Sequence, residues 1–519
     1  MSYLKESQLL AKIKNIIWPI ERSEIKLFLP LGLMMMCMLF NFGSLRSIKD
    51  SLVVPNIGAE VISFLKLWLV LPSTVIFTLI YVRLSNIFEY DRVFYLIVCF
   101  FLSFFLLFAY VFFPQQHLFH PSLETIDSLT LSYPYFKWFI KILGKWSYAL
   151  MYIFSELWSV VIINLLFWQY ANHIFDTNSA KRFYPYLGVI GNIGLIIAGN
   201  VLVSFTDMSG IEDEQILKLY ASDIAYQSQM VLKPIMKLII IAGLLSMALY
   251  RYIDHYVLKT MRMKSDFDKN ISDIGVKPLL KKTKTSLSFL DSIKLILKSK
   301  YIGHIVILVL CYGLLINILE GPWKSKVMQL YPNTIDYLNF MGKFNIWMGI
   351  SCVAFMVLGS NILRNFSWSI SALITPFMMS ITGLIFFSFV IVANYYNIEK
   401  DWFNPVYYAV LIGAVQNILS KATKYSLFDS TKEMAYIPLS LELKTKGKAA
   451  VEVMGLKFGK SLGAFIQSSM FILMPMASFD SVAQYLLAIF IFVMALWIWN
   501  VKTLGKEYAN LSNKENETN

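Results

Sequence analysis

The sequence predicts an all-α polytopic membrane protein with twelve transmembrane helices, and three observations predict it. Hydrophobic residues make up 57% of the 519 and aromatic residues 16%, with a mean hydropathy of +0.59. Charged residues account for only 15%, where a soluble chain carries about 25%. The apolar residues gather into runs long enough to cross a bilayer, separated by loops whose charge is mostly of one sign.

Residues 1–26 read as a cytoplasmic N-terminal segment. Glu6, Glu21 and Glu24 stand among its basic residues and no small-residue cleavage site follows the first span. Both features argue against a cleavable signal or an organelle transit peptide, and favour a bacterial inner membrane. Spans are expected at 27–48, 61–82, 93–113, 146–170, 186–206, 231–250, 302–321, 340–360, 368–394, 402–421, 449–475 and 481–501. Twelve crossings place both termini on one side, and the loops assign that side. Between 207 and 232 Asp207, Glu212, Asp213, Glu214 and Asp223 oppose Lys218 alone, and the loop 114–135 has Glu124 and Asp127 without Lys or Arg. These loops face out. By contrast, 251–300 holds twelve Lys and Arg against five Asp, and 421–448 is also basic, so these loops and both termini face the cytoplasm. The net charge of +13 is thereby explained by topology, and no nucleic-acid partner is expected.

An internal repeat divides the chain into halves. IFDTNSAKRFYP (Ile174–Pro185) follows the fourth span and LFDSTKEMAYIP (Leu427–Pro438) follows the tenth; GNIG (Gly191–Gly194) and GKSLG (Gly459–Gly463) come next in each. Same-direction repeats of six helices indicate a major-facilitator-like architecture, with a binding site between the halves near the midplane. The expected organisation is an N-terminal half at 27–250, a basic linker at 251–301, a C-terminal half at 302–501 and a cytoplasmic tail at 502–519.

An ionisable residue inside a span costs about 2.5–3.5 kcal/mol on insertion scales, so one far from either interface calls for a reason. Glu156 is the clearest, lying mid-span in SYALMYIFSELWSVVIINLLFWQY (Ser147–Tyr170). Asn317, Glu320 and Lys324 lie at i, i+3 and i+7 and share a helical face. Pro322 is expected to bend or break that helix just after Glu320. The result is either a polar broken-helix site or a span end with its charges, Lys326 included, among headgroups. Lys49 follows Arg46 by one turn and precedes Asp50; it is either functional or snorkelling, and Lys66 and Arg83 fit snorkelling better. Lys460 can share a face with Glu452, Gly463 and Gln467. GLKFGKS (Gly455–Ser461) is one residue short of a P-loop and lacks its strand–turn–helix setting; its glycines suit close helix packing. Asn417, Lys421 and Lys424 follow i, i+4, i+7, forming either an anion-facing face or ordinary positive-inside charge.

Cys37, Cys99, Cys311 and Cys352 fall in apolar stretches without metal-ligand spacing, and His117 and His120 have no further ligands nearby. No metal, cofactor or enzymatic constellation is expected. The cations that remain suggest an anionic substrate, because several positive charges converging on one cavity repel one another unless an anion compensates.

At LRSIKDSLVV (Leu45–Val54), SELWSVVIINLLFWQYAN (Ser155–Asn172), INILEGPWKSK (Ile316–Lys326), QNILSKATKYSLFDSTKEMAYIPL (Gln416–Leu439) and KTKGKAAVEVMGLKFGKSLG (Lys444–Gly463) the chain closely resembles the nucleotide transporter family. These are the ATP/ADP translocases of obligate intracellular bacteria and plastids, and the rickettsial type is the most similar. The resemblance runs from about Ile16 to Tyr508. It implies exchange of external ATP for internal ADP by alternating access, with nucleotide and membrane lipid as partners and a monomer as the unit. It also implies that four charges matter for transport: Lys49, Glu156, Glu320 and Lys460. Arg46, Lys326 and Lys424 are possible helpers at the phosphates, and Trp168, Trp323 or Phe344 at the base. Leu462 replaces a glycine of the family pattern, and Pro322 stands where several members have a small or β-branched residue. Both departures bear on nucleotide preference, so proton-coupled or exchange transport of GTP, CTP, UTP or another phosphorylated solute is the alternative expectation. A membrane scaffold without transport is a third.

Overall fold

The computed structural model describes residues 24–175, 177–207, 224–259, 299–395, 404–439 and 456–518, together with Ile20 and Val451. Among these residues the fold is all helical. Ten helices are long and apolar enough to cross a membrane: α1 (Ile25–Ile57), α2 (Val61–Ile87), α3 (Tyr90–Phe112), α4 (Trp146–Ile174), α5 (Arg182–Thr206), α6 (Ser228–Leu258), α7 (Lys300–Leu330), α8 (Thr334–Asn365), α9 (Trp368–Asn394) and, last in the chain, Phe479–Leu511. Two further helices, α10 (Pro405–Thr423) and α11 (Leu456–Leu473), fall outside this apolar set, and Phe479–Leu511 is therefore α12. What lowers their hydropathy is informative: α10 carries Gln416, Asn417 and Lys421, and α11 carries Lys460 and Gln467. The helix of α12 runs on to Thr518, so the tail beyond the expected span is helical. Most of the expected basic linker lies outside the described residues, as does Glu452.

The helices pack as two groups of six with the same internal plan. In the first, α1 lies against α4, α5 and α6; in the second, α7 lies against α10, α11 and α12. Glycines make the corresponding pair in each group. A Cβ at Gly194 would sit 2.2 Å from the Met36 carbonyl oxygen, so α5 rides on the backbone of α1. A Cβ at Gly459 would sit 2.6 Å from the Leu310 carbonyl oxygen, and one at Gly463 would meet Asn317 at 2.9 Å, so α11 rides on α7 in the same way. Small residues let helix backbones approach where lipid offers no hydrophobic drive. The two copies of the sequence repeat differ locally. The first breaks the chain at Phe175 between α4 and α5, whereas the second stays helical through a π turn (Lys424–Phe428) and a helix at Asp429–Ala435.

The groups meet along α5 and α8, α1 and α8, and α2 and α11. At the end away from the termini, Asn56 Nδ2 donates to Thr334 Oγ1 at 3.2 Å and Asn339 Nδ2 donates to Thr206 Oγ1 at 2.8 Å. There the Phe479 N–H, at the start of α12, donates to Glu60 Oε1 at 3.1 Å.

Two helices correct the expected boundaries. α1 continues to Ile57, not 48, so Lys49 and Asp50 lie within it. α7 is unbroken from Lys300 to Leu330 with Pro322 inside, and the expected break after Glu320 does not occur. Pro322 has no N–H for the Ile318 carbonyl. Gln467 Nε2 of α11 reaches that oxygen at 3.4 Å and the Asn317 carbonyl oxygen at 3.2 Å. A side chain from the neighbouring helix supplies the missing donor, which is how a membrane helix tolerates an interior proline.

Candidate functional site

α1 and α7 present a charged stripe to each other across the middle of the bundle. Asp50, fully buried on α1, accepts Lys49 Nζ at 2.8 Å through one oxygen and faces Lys324 Nζ of α7 at 2.8 Å through the other. Lys49 also pairs with Glu156 of α4 at 3.0 Å and lies 3.8 Å from the centroid of the Tyr152 ring. Glu320 gathers three cations: Arg46 at 3.2 Å, Lys66 of α2 at 2.8 Å and Lys324, one turn on, at 3.2 Å. These six ion pairs knit one network, and three of them, Asp50–Lys324 and Glu320 with Arg46 and with Lys66, cross between the two groups of helices. Asp50, Lys49 and Lys324 have side chains at most 3% exposed, whereas Glu156 is 30% exposed.

The expected residues are not all brought together. Lys460 projects from α11 with an exposed side chain, within electrostatic reach of Glu156, Lys66 and Glu320, and no carboxylate lies within ion-pair distance of it among the described residues. Asn317 Nδ2 donates to the Lys460 carbonyl oxygen at 2.6 Å and so fixes that turn of α11 against α7. Lys421 of α10 and Arg46 lie against the same ring, Phe344, at 5.4 and 5.8 Å from its centroid. Lys424, in the π turn beyond α10, pairs with Asp429 at 2.7 Å. Asn417 is buried, donating to the Gly413 carbonyl of its own helix. Lys326 stands apart: it pairs with Asp480 at 3.0 Å and donates to Asn394 at 2.8 Å, within the second group of helices. Of the three aromatics, Trp323 is fully buried with its indole N–H donated to the Val410 carbonyl, Trp168 packs on Tyr184, and Phe344 packs on Trp323 and the two cations.

Sequence reasoning did not single out Asp50 and Lys66. Each lay near an expected span end, where a charge is ordinary. Asp50 is internal because α1 extends beyond Lys49, and Lys66 is turned inward where α2 winds into a π turn at Leu65–Val70. The available signal was that apolar residues resume two positions after Asp50, in Leu52-Val53-Val54.

Chemically, the arrangement offers hydrogen-bond donors and positive charge, with carboxylates already holding most of the cations. It contains no nucleophile–base pair, and among the described residues no group of three His, Cys, Asp or Glu could hold a metal.

The family described as TLC ATP/ADP transporter matches residues 4–508. ADP,ATP carrier protein 3 of Rickettsia felis is 62% identical over 96% of this chain and 98% of its own. The carrier protein of the same name from Rickettsia prowazekii is 62% identical over the same shares. ADP,ATP carrier protein 1 of Rickettsia prowazekii is 47% identical over 99% of both chains. Among solved structures, a bacterial homologue of the iron transporter ferroportin, in an inward-facing state, aligns over 94% of this chain and 100% of its own with a TM-score of 0.56 and 14% identity. A nucleoside transporter aligns over 93% and 99% with a TM-score of 0.51, also at 14% identity. At that identity the likeness is one of fold, and the fold is major-facilitator-like.

Proposed function

The chain belongs to the TLC ATP/ADP transporter family, and from that premise we propose that it exchanges external ATP for internal ADP across a bacterial inner membrane by alternating access, with both termini cytoplasmic. The relatives named ADP,ATP carrier proteins support the substrates. The single observation that carries the mechanism is the buried charge network drawn from both groups of helices, in which cations outnumber carboxylates.

Lys49 and Lys460 bind the phosphates, assisted by Arg46. Glu156 and Glu320 hold the cations while the site is empty, and the arriving phosphates displace them. Such exchange of partners is feasible because both states keep the charges paired; an unpaired buried charge would cost several kcal/mol. Asp50–Lys324 is a strut between α1 and α7 that keeps its register while Glu156, the more exposed carboxylate, gives way. Exchange is obligate because a cavity rich in cations and lacking a bound anion crosses poorly between its two orientations. Solvent reaches Glu156 and Lys460 while the far end is stitched by Asn56–Thr334, Asn339–Thr206 and Glu60–Phe479, which fits a state open toward the termini.

Reconstituted in liposomes, the protein should take up labelled ATP only when ADP is loaded inside, and a proton ionophore should leave that exchange unchanged. Uptake indifferent to internal nucleotide would reject antiport, and its abolition by the ionophore would favour proton coupling at Glu156. The family's departure at Leu462, an exposed side chain two residues from Lys460, favours a second reading in which the base differs from adenine. A thermal-shift panel of ribonucleoside di- and triphosphates separates the two.

A further inference from the structure

Each cation of the central network has a carboxylate within 3.2 Å: Arg46 and Lys66 on Glu320, Lys49 on Asp50 and Glu156, Lys324 on Asp50 and Glu320, Lys424 on Asp429. Lys421 is different. Its Nζ is buried and has no hydrogen-bond partner, and among the described residues no carboxylate lies within ion-pair distance. Its charge is set against those of Arg46, Lys324 and Lys460, with Glu320 the one carboxylate among its main electrostatic neighbours. What holds it is the Phe344 ring, which it shares with Arg46. A cation–ring contact stabilises an ammonium by less than its desolvation costs. The contact alone does not account for a lysine here. Its stem is partly exposed, and its flexible four-carbon chain can carry the ammonium off the ring.

We propose that Lys421 is a specificity residue for phosphate number. Resting on the nucleotide-exchange reading, it is the cation held in reserve for the additional charge that a nucleoside triphosphate brings and a diphosphate lacks. The other buried cations of the network are each matched by a carboxylate, and Lys460, which has none within ion-pair distance, is exposed where Lys421 is buried. Lys421 has no carboxylate to give up, so it discriminates between substrates differing by one negative phosphate. Together with Arg46 across Phe344 it forms a subsite with one cation from each group of helices.

The test uses the full-length protein in detergent without magnesium, with ATP and ADP affinities measured by calorimetry for the native protein, Lys421→Met and Lys421→Arg. Lys421→Met should weaken ATP by about tenfold and ADP by less than about threefold, the loss of one charge-assisted contact. Lys421→Arg should restore most of the difference. The melting temperature of nucleotide-free Lys421→Met should equal or exceed that of the native protein. An equal loss for ATP and ADP, no loss for either, or a Lys421→Met protein that fails to fold would each overturn the proposal, the last because an unpartnered ammonium supplies no stability to lose. If the native protein binds neither nucleotide, the exchange reading itself has failed. Specificity for another base would instead appear as the same triphosphate-to-diphosphate contrast with that base.

Discussion

Asp50 is fully buried, with an ammonium group at 2.8 Å on each side, one from its own helix and one from α7. Asp50→Asn therefore leaves Lys49 and Lys324 leaning on Glu156 and Glu320 alone, with an uncompensated charge in the interior. We expect a loss of about 3–5 kcal/mol in unfolding free energy, the usual cost of breaking one side of a buried pair. The Asp50→Asn, Lys324→Met double variant should recover much of that loss, because both buried charges are then gone. Unfolding of the purified protein in detergent measures both; strictly additive losses would show that the two residues do not act as a pair. Glu156→Gln should cost less stability, since its carboxylate is 30% exposed. The same contrast explains what could be read from the sequence. Glu156 stood out because it lies about ten residues from either end of a long apolar span, too far for its short side chain to reach an interface. Asp50 did not, because burial there depends on a helix that continues past two charges. Whether a span ends at a charge or runs through it is decided by the partner across the cavity, and Lys324 is more than 270 residues away.

The chemistry of α7 depends on a donor lent by α11. With Pro322 inside the helix, Gln467 Nε2 serves the Asn317 and Ile318 carbonyls, and Asn317 in turn serves the Lys460 carbonyl. Gln467→Met should cost about 1–3 kcal/mol, the price of a buried acceptor left unsatisfied. Pro322→Ala restores the N–H, so in that background the same Gln467→Met change should cost clearly less; an undiminished cost in the melting curves would refute this account. Glycine makes the other helix pairs. Gly194→Ala would drive a methyl into the Met36 carbonyl, where a Cβ has only 2.2 Å, and should lower the yield of folded protein as judged by gel filtration. A proline's effect on a helix is legible locally as a missing donor. Its rescue is not, because Gln467 lies far along the chain from Pro322 and only packing brings them together.

At the scale of the whole molecule, the closed end turns on Glu60. This carboxylate sits in the turn between α1 and α2, 6% exposed, with no cation within ion-pair distance among the described residues, and accepts the N–H that opens α12. Burial pushes its pKa up; its hydrogen bonds from its own and the Phe479 backbone N–H pull it down, Asp480 raises it and Lys137 lowers it, with burial the largest effect and the net direction upward. When the halves part at this end, Glu60 returns to water and to its ordinary value. The closed form thus binds the proton more tightly than the open form, and linkage fixes the sign: closure is favoured by acid, fully so below the ordinary glutamate value, and the preference is lost as pH rises through the elevated one. Spin labels at Gln115→Cys and Met476→Cys, both exposed near this end and one on each group of helices, would report it by pulsed electron paramagnetic resonance in protein stripped of its native cysteines. Lowering the pH from about 7 to about 5 should enlarge the short-distance population. Glu60→Gln, neutral at every pH, should hold that population high and flat across the range. A short-distance population that shrinks in acid, or a Glu60→Gln protein that still responds to pH, would assign the sensitivity to some other group. In the proposed orientation this end faces outward, so an acidified exterior would hold the carrier open toward the cytoplasm and slow its return to collect external nucleotide.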